Sequence, residues 1–342
     1  MIKFKKRIFY RYLYIVTTSI LIIMLSSCSK EVKLVGETEF KLGTVCTISL
    51  PEGTDELIYK GAFNVLDLVE KEISRTSETS AISILNVNKS NSFNKETYKL
   101  LQDSYKMSEQ SNGIFDPSIG LAVSLWDIGG INPRIPSTKE LSEIDTNYKD
   151  VKFDDKNRVV SIPLNMEIDL GADGKGYSAD LIREYLVSKN VNKAIINLGG
   201  NILLIGSKSD NVDWVIGLQD PNKEIGNSYI LLSLSDTSVV TSGTYERFFI
   251  KDGIKYHHIL SPSTLYPADS DIISSSIISK NSTLCDMLST TCFIMGSKKA
   301  LEFMKKYPQA RAVFLLKDGS VVFSDNFDKD YQITNSDYSI IN

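Results

Sequence analysis

The stretch Asp169 to Asp180, read as DLGADGKGYSAD, constrains the fold most, because three glycines, a lysine and two framing aspartates fall where a strand passes into a helix. Upstream, Val159 to Ile168 alternates apolar and polar residues as a strand does. Downstream, Tyr177, Leu181, Ile182, Leu186 and Val187 recur at helical spacing. Gly171, Gly174 and Gly176 therefore occupy the junction. Without Cβ atoms they let backbone N–H groups approach an anion, and the following helix adds the positive end of its dipole. From the residues alone two readings stand: a turn that holds a phosphate or a metal, and a tight strand-to-helix turn with a solvated lysine. Two familiar phosphate loops are excluded by spacing. A Walker loop needs Ser or Thr after Gly174-Lys175 and a glycine five positions before Gly174, where Gly176 and Asp169 stand, and the dinucleotide pattern GxGxxG is absent.

The N-terminus carries Lys3, Lys5, Lys6, Arg7 and Arg11 without an acid, followed by an apolar run from Tyr14 to Leu25. That is the pattern of an export signal. Its end, Leu25-Ser26-Ser27-Cys28, resembles the lipobox of bacterial lipoproteins, which makes Cys28 the lipidated first residue of the mature chain. A transmembrane anchor is the competing reading, but the run is short for a span and ends in the polar Ser26 to Lys30. The expected organisation is a signal peptide over 1–27, a tether over 28–36 and one domain over 37–330, exported and lipid-anchored to a bacterial membrane. The net charge of −4 becomes more negative once the basic leader is removed, so a nucleic-acid footprint is excluded. With 42% hydrophobic residues the chain can bury a sizeable core. Cys46, Cys285 and Cys292 show no metal-type spacing and read as small core residues.

Along the chain, Glu37 to Leu50 reads as a strand and Leu57 to Ile73 as a helix. Ser74 to Asn94 reads as a surface loop with one helical turn around Ala81 to Leu85, and Lys95 to Gln110 as a helix stopped by Asn112-Gly113. In GIFDPSIG the chain turns while presenting Phe115 and Asp116. A linker over Pro133 to Pro136 and a short helix over Lys139 to Ile144 lead to the glycine junction. Ala194 to Leu198 and Ile202 to Ile205 flank Gly199-Gly200-Asn201, read as a bulge or a close backbone approach. Strands are expected over Trp214 to Leu218, Tyr229 to Leu234, Arg247 to Ile250, Tyr256 to Leu260 and Ile272 to Ile278. A helix capped by Ser282 runs through Met295, another spans Lys299 to Lys305, and a hairpin turns at Asp318-Gly319. Helices and strands mix without regular alternation, so the class is α+β.

Asp286, Ser289 and Thr290 share one helix face, a spacing that suits a hard cation and equally a solvated polar face. His257 and His258 end a strand beside LSPSTLYPAD, where one of them can accept a proton from a hydroxyl nucleophile or simply cap the strand end. Thr241, Ser242, Tyr245 and Arg247 form a polar cluster able to bind a phosphate or a carboxylate. No GxSxG elbow is present, so metal-assisted phosphoryl transfer fits better than serine hydrolysis.

Taken in order, FKLGTVCTISL, GIFDPSIG, DLGADGKGYSAD, NLGGNI, VVTSGTYERF, HHILSPSTLYP and CDMLSTT resemble the motifs of the FAD:protein FMN transferases, the ApbE family. The resemblance runs from about Glu37 to Phe323. It implies an α+β flavin-binding fold and a magnesium-dependent reaction that cleaves FAD, esterifies FMN to a threonine of an acceptor redox protein and releases AMP. A magnesium-dependent FAD pyrophosphatase and a non-catalytic flavin-binding lipoprotein are the alternatives. By motif, the Ala172 carbonyl, Asp286, Ser289 and Thr290 hold magnesium. Leu42, Thr76, Ile114, Phe115, Asp116, Asp169, Lys175, His258 and Leu260 contact FAD, and His258 assists deprotonation of the acceptor threonine. Three positions depart from the family pattern: Leu265 stands where glycine is usual, Thr76 where an aromatic is common, and Asp173 where an apolar residue is usual, which adds a negative charge near the metal.

Overall fold

The computed structural model describes residues 32–210, 212–327 and 331–341. The expected signal peptide and the lipidation site Cys28 lie outside the described residues. In chain order the elements begin with β1 (Leu34–Lys41), β2 (Thr44–Pro51), α1 (Glu56–Ile73), α2 (Ala81–Asn88), β3 (Ser90–Ser92) and α3 (Lys95–Gln110). Next come α4 (Gly120–Trp126), α5 (Thr138–Ser142), β4 (Lys152–Asp154), β5 (Val159–Ser161), α6 (Gly174–Ser188), β6 (Ala194–Leu198) and β7 (Asn201–Ile205). The remainder is β8 (Trp214–Gln219), β9 (Ser228–Leu234), β10 (Ser238–Gly243), β11 (Phe248–Lys251), β12 (Ile254–His257), β13 (Ile272–Ser279), α7 (Ser282–Met295), α8 (Ser297–Met304), β14 (Arg311–Leu316), β15 (Ser320–Phe323), β16 (Tyr331–Ile333) and β17 (Ser339–Ile340).

A nine-stranded sheet in the order β1-β2-β6-β7-β10-β13-β14-β15-β17 organises the molecule, and every pairing in it is antiparallel except β15 with β17. Because successive residues of a strand face opposite sides, Leu203, Val240, Ile277 and Phe314 pack on the helical side while Leu204, Val239, Ile278 and Val313 pack on the other. On the first side lie α1 with α6 and α7 with α8; the second is covered by the small sheet β16-β9-β8. A third cluster around α2, α3 and β5 supports the loops between α4 and α6. This is the mixed architecture of an α+β domain.

Several sequence expectations need correction. The single strand over Glu37 to Leu50 is a hairpin, turned at Leu42-Gly43 with both residues at positive φ. That two-residue turn matches the strand twist. β1 also takes in Leu34 to Gly36, which the sequence assigned to the tether, and β16 and β17 lie beyond residue 330. The loop over Ser74 to Asn94 contains a full helix, α2, capped by Ser80 and packed through Ile82 and Leu85. The strand before the glycine junction stops at Ser161, and the chain then reaches the junction as irregular backbone with a single bridge from Glu167 to Ile119. Gly199-Gly200 is a hairpin turn between β6 and β7, not a bulge. Asn281, whose side chain accepts from Leu284 N–H, caps α7 in place of Ser282. β12 ends at His257, and β10 was not expected as a strand. The three cysteines are free and buried, as expected.

Candidate active site

The glycines of the junction serve packing first. A Cβ on Gly176 would lie 2.3 Å from the Ser282 carbonyl oxygen and 2.8 Å from Asp286 Cβ, and one on Gly174 would meet Ile73 Cδ1 at 2.6 Å. Without side chains at these points, the first turn of α6 lies directly against α7. The Gly176 N–H then donates to Asp286 Oδ2 at 2.8 Å rather than back to Ala172, and among the described residues nothing donates to the Ala172 carbonyl. One backbone turn thus satisfies a buried carboxylate and frees a carbonyl beside it.

Both groups line a cavity of about 560 Å³, within the usual range of small-molecule sites. Of the residues singled out from the sequence, Leu42, Thr76, Ile114, Phe115, Asp116, Asp169, Ala172, Lys175, His258, Leu260, Asp286 and Thr290 all face this cavity. Ser289 does not. It is fully buried, bonded to the Asp286 carbonyl and to Ser242 Oγ at 2.7 Å, and Ser242 in turn reaches Thr290 Oγ1 at 3.2 Å. The polar cluster of β10 and its following turn divides in the same way. Ser242 and Arg247 line the cavity, whereas Thr241 bonds Ser276 and Tyr245 lies outside it.

Charge in the cavity is arranged by burial. Asp286 is 3% exposed, and burial pushes its carboxyl up to about 6 against the lowering effects of Lys175 and the Gly176 N–H. Burial, then the Lys175 and Arg247 charges, depress His258 to about 3, so its imidazole is neutral near pH 7. Its Nδ1 lies 3.2 Å from the Arg247 carbonyl oxygen. A carbonyl can only accept, so Nδ1 carries the proton and Nε2 keeps its lone pair. Its neighbour His257 is buried, donating to the Ala268 carbonyl through Nε2 and accepting from Ile259 N–H.

Among the charged cavity residues, Arg75, Glu70, Glu246 and Asp127 have no counterpart in the sequence reading. Arg75 donates to Asp169 at 2.7 Å and to Ser124 at 2.7 Å; Glu70 accepts from Leu42 N–H at 2.7 Å; Glu246 lies 3.9 Å from Lys175 and is pushed up by burial. Arg75 and Glu246 stand on loops, where no periodicity marks a site. Glu70 is one of several acids on α1 and carries no local signal.

A model of the ApbE family matches residues 42–314. The chain belongs to the ApbE family. It is 32% identical over 314 residues to the FAD:protein FMN transferase of Treponema pallidum, covering 85% of this chain and 87% of that one. Its fold is similar to the crystal structure of the ApbE protein of Thermotoga maritima, at 33% identity and a TM-score of 0.79 over 86% of this chain and 98% of the other. The flavin transferase ApbE of Vibrio cholerae, 21% identical, shares the fold with a TM-score of 0.76 over 86% and 98%.

Against the ApbE pattern, the three departures resolve differently. Leu265 adopts φ 58, the left-handed conformation that glycine takes without cost, and its carbonyl accepts the Trp126 indole N–H at 2.7 Å. Burial of its side chain beside Trp126 offsets the strain, so the loop behind His258 keeps its turn. Asp173 does not line the cavity: its carboxyl is fully buried and bonded with Ser104, and burial raises it well above the usual carboxylate value. Thr76 faces the cavity, with its hydroxyl 3.3 Å from Ser74 Oγ.

Proposed function

We propose that this chain is an FAD:protein FMN transferase, which moves FMN from FAD to a threonine hydroxyl of a target redox protein and releases AMP. The observation that carries the reading is one cavity that pairs a neutral imidazole acceptor, His258, with a buried carboxylate, Asp286, under the influence of one cation, Lys175. Membership of the ApbE family supports it.

The reaction needs three things of these residues. Leu42, Thr76, Ile114, Phe115, Asp116, Asp169 and Leu260 form the walls that hold FAD. Lys175 and Arg247 meet the pyrophosphate charge, and in doing so cease to depress His258, whose basicity rises when substrate is bound. The threonine Oγ then attacks the phosphorus on the FMN side. A P–O bond forms as the bond to the bridging oxygen breaks, AMP departs with that oxygen, and the hydroxyl proton passes to His258 Nε2.

Magnesium fits the donors present. Among the described residues no group of three or more His, Cys, Asp or Glu is placed to hold a metal. The proposed set is instead the free Ala172 carbonyl, the Asp286 carboxylate and the Thr290 hydroxyl, with Ser289 held behind them through Ser242. Hard oxygen donors with a single carboxylate suit an ion that retains waters and substrate phosphates. When bound, magnesium would neutralise charge on the pyrophosphate. We further propose that residues 37–330 with their flanking strands act outside the cytoplasm, tethered through a lipid on Cys28. Among the described residues no helix is long and apolar enough to cross a membrane. A Cys28→Ser chain should leave the membrane fraction.

The test is to incubate the chain with FAD, magnesium and a pool of threonine-containing peptides and to weigh the products. A gain of FMN on a peptide supports transfer. Free FMN and AMP with unlabelled peptide would make the chain a pyrophosphatase, and unchanged FAD a binder.

A further inference from the structure

The hairpin of β11 and β12 turns at Asp252-Gly253, both at positive φ, so Lys251 and Ile254 are a hydrogen-bonded pair and alternate pairs follow the same pattern. The bond from His258 N–H to the Arg247 carbonyl continues that register. It follows that the N–H and C=O groups of Phe248 and Ile250 point outward from β11, away from β12. Among the described residues nothing bonds to them. Phe248 is 43% and Ile250 65% exposed. The opposite edge of the hairpin is covered at its inner end, where His257 is buried against Ala268. The free edge leads into the cavity, because Arg247, the residue before β11, lines it and lies across from His258.

We propose that the acceptor protein docks by adding an extended segment to the outer edge of β11, with its threonine opposite Arg247. This rests on the transferase reading above. Directly opposed residues in antiparallel strands project to the same face, so a threonine there faces the same side as Arg247 and His258. The imidazole leans that way, since its Nδ1 lies over the Arg247 carbonyl. A residue opposed to Arg247 on the free side is a non-hydrogen-bonded pair, the closer of the two kinds, with Cα atoms about 4.5 Å apart. The occupant is thereby specified. An antiparallel segment places its residues one and three positions before the threonine over Phe248 and Ile250, so apolar side chains are favoured at both. Main-chain bonds supply affinity and these two positions supply selectivity, as in other strand-addition interfaces.

The test uses wild-type chain, FAD, magnesium and a pool of peptides with one central threonine between randomised flanks. Labelled peptides should be enriched in apolar residues at alternate positions on one side of the threonine. N-methylation of a labelled peptide should block transfer at every second amide and be tolerated between. Ile250→Pro, which removes one outward N–H while sparing the bonds to β12, should lower kcat/KM for peptide at least tenfold with the Kd for FAD within twofold of wild type. Ile250→Ala, which keeps the N–H, should lie within threefold of wild type. Uniform tolerance to N-methylation, a readout independent of how any variant folds, would overturn the docking mode while leaving the transferase reading intact. If no peptide and no protein gains FMN, the transferase reading falls and the docking mode with it.

Discussion

His257 and His258 differ by one position at the end of a strand, and that position separates a structural imidazole from the one proposed as general base. Alternation turns His258 toward the cavity with Nε2 unprotonated and buries His257 between Ala268 and Phe293. Replacing His258 by Ala should therefore lower transfer by about 10²- to 10⁴-fold, the usual contribution of a general base. FAD affinity, measured by flavin fluorescence, should change little; a comparable loss of binding would sink the assignment. His257 makes a different prediction. Burial depresses it from 6.5 to about 4, so the unfolded chain takes up a proton below 6.5 that the folded chain refuses. Its contribution is complete above pH 6.5 and is lost as pH falls to 4, amounting to about 3 kcal/mol at 1.36 kcal/mol per pH unit. Asp116 acts oppositely. Burial raises it to about 6, so its contribution is present below 3.8 and lost as pH rises through 6. The two partly cancel in the wild-type curve, and the measurement is thus a difference. The destabilisation caused by His257→Gln in urea titrations should shrink steadily from pH 6.5 to pH 4, and a constant penalty would show that the imidazole is protonated in the fold.

Between elements, the junction of α6 with α7 depends on the absence of one methyl group. Ala at Gly176 must displace the Ser282 carbonyl or the Asp286 Cβ, and overpacking of this kind costs about 1–3 kcal/mol. Ala at Gly200, in the hairpin turn between β6 and β7, meets no atom and suffers only from its φ of 94, a penalty of about 1–2 kcal/mol. Stability alone separates them poorly, but binding should not. Gly176→Ala should weaken FAD binding in magnesium because it moves Asp286, while Gly200→Ala should leave it unchanged. Equal binding by both would mean that α7 tolerates the shift. The same contrast shows what could be read from sequence. α1 and α3 carry apolar residues at helical spacing and Asn112-Gly113 follows the end of α3 at Gln110, so their limits are legible to within a residue. β10 was not, because Ser238, Ser242 and Gly243 are buried by hydrogen bonds and close packing rather than by apolar side chains. The sequence shows only one turn of α2, around Ala81 to Leu85, for a related reason, since Ser80, Ser83 and Asn86 bury their polar groups on backbone partners. Eleven candidate residues taken from the motifs, together with Thr76, line one cavity. Arg75 and Glu246 escaped because a loop residue gains its role only from what the rest of the chain brings beside it.

At the scale of the whole molecule, the cavity draws its walls from the first hairpin, the end of α1, the turn after α3, the start of α6, the β11–β12 region and α7. These segments are far apart in sequence and meet only in the folded chain, so FAD and the proposed magnesium have a site in the native state and none in the unfolded one. Their free energy of binding is added to stability by linkage, about 2.7 kcal/mol for a ligand at 100 times its Kd. For a chain of this length each kcal/mol raises Tm by about 2 °C, so saturating FAD should raise it by about 5 °C. Magnesium should add a further increment only with FAD present, because its proposed protein ligands include a single carboxylate and the substrate phosphates complete the set. Asp286→Asn separates the terms: the amide keeps an acceptor for the Gly176 N–H and nearly the same volume, yet carries no charge. In that variant the shift with FAD alone should persist and the magnesium increment should vanish, and in wild type EDTA should remove the same increment. If magnesium stabilises Asp286→Asn as much as wild type, the ion is held elsewhere and Asp286 serves only to lock α6 onto α7.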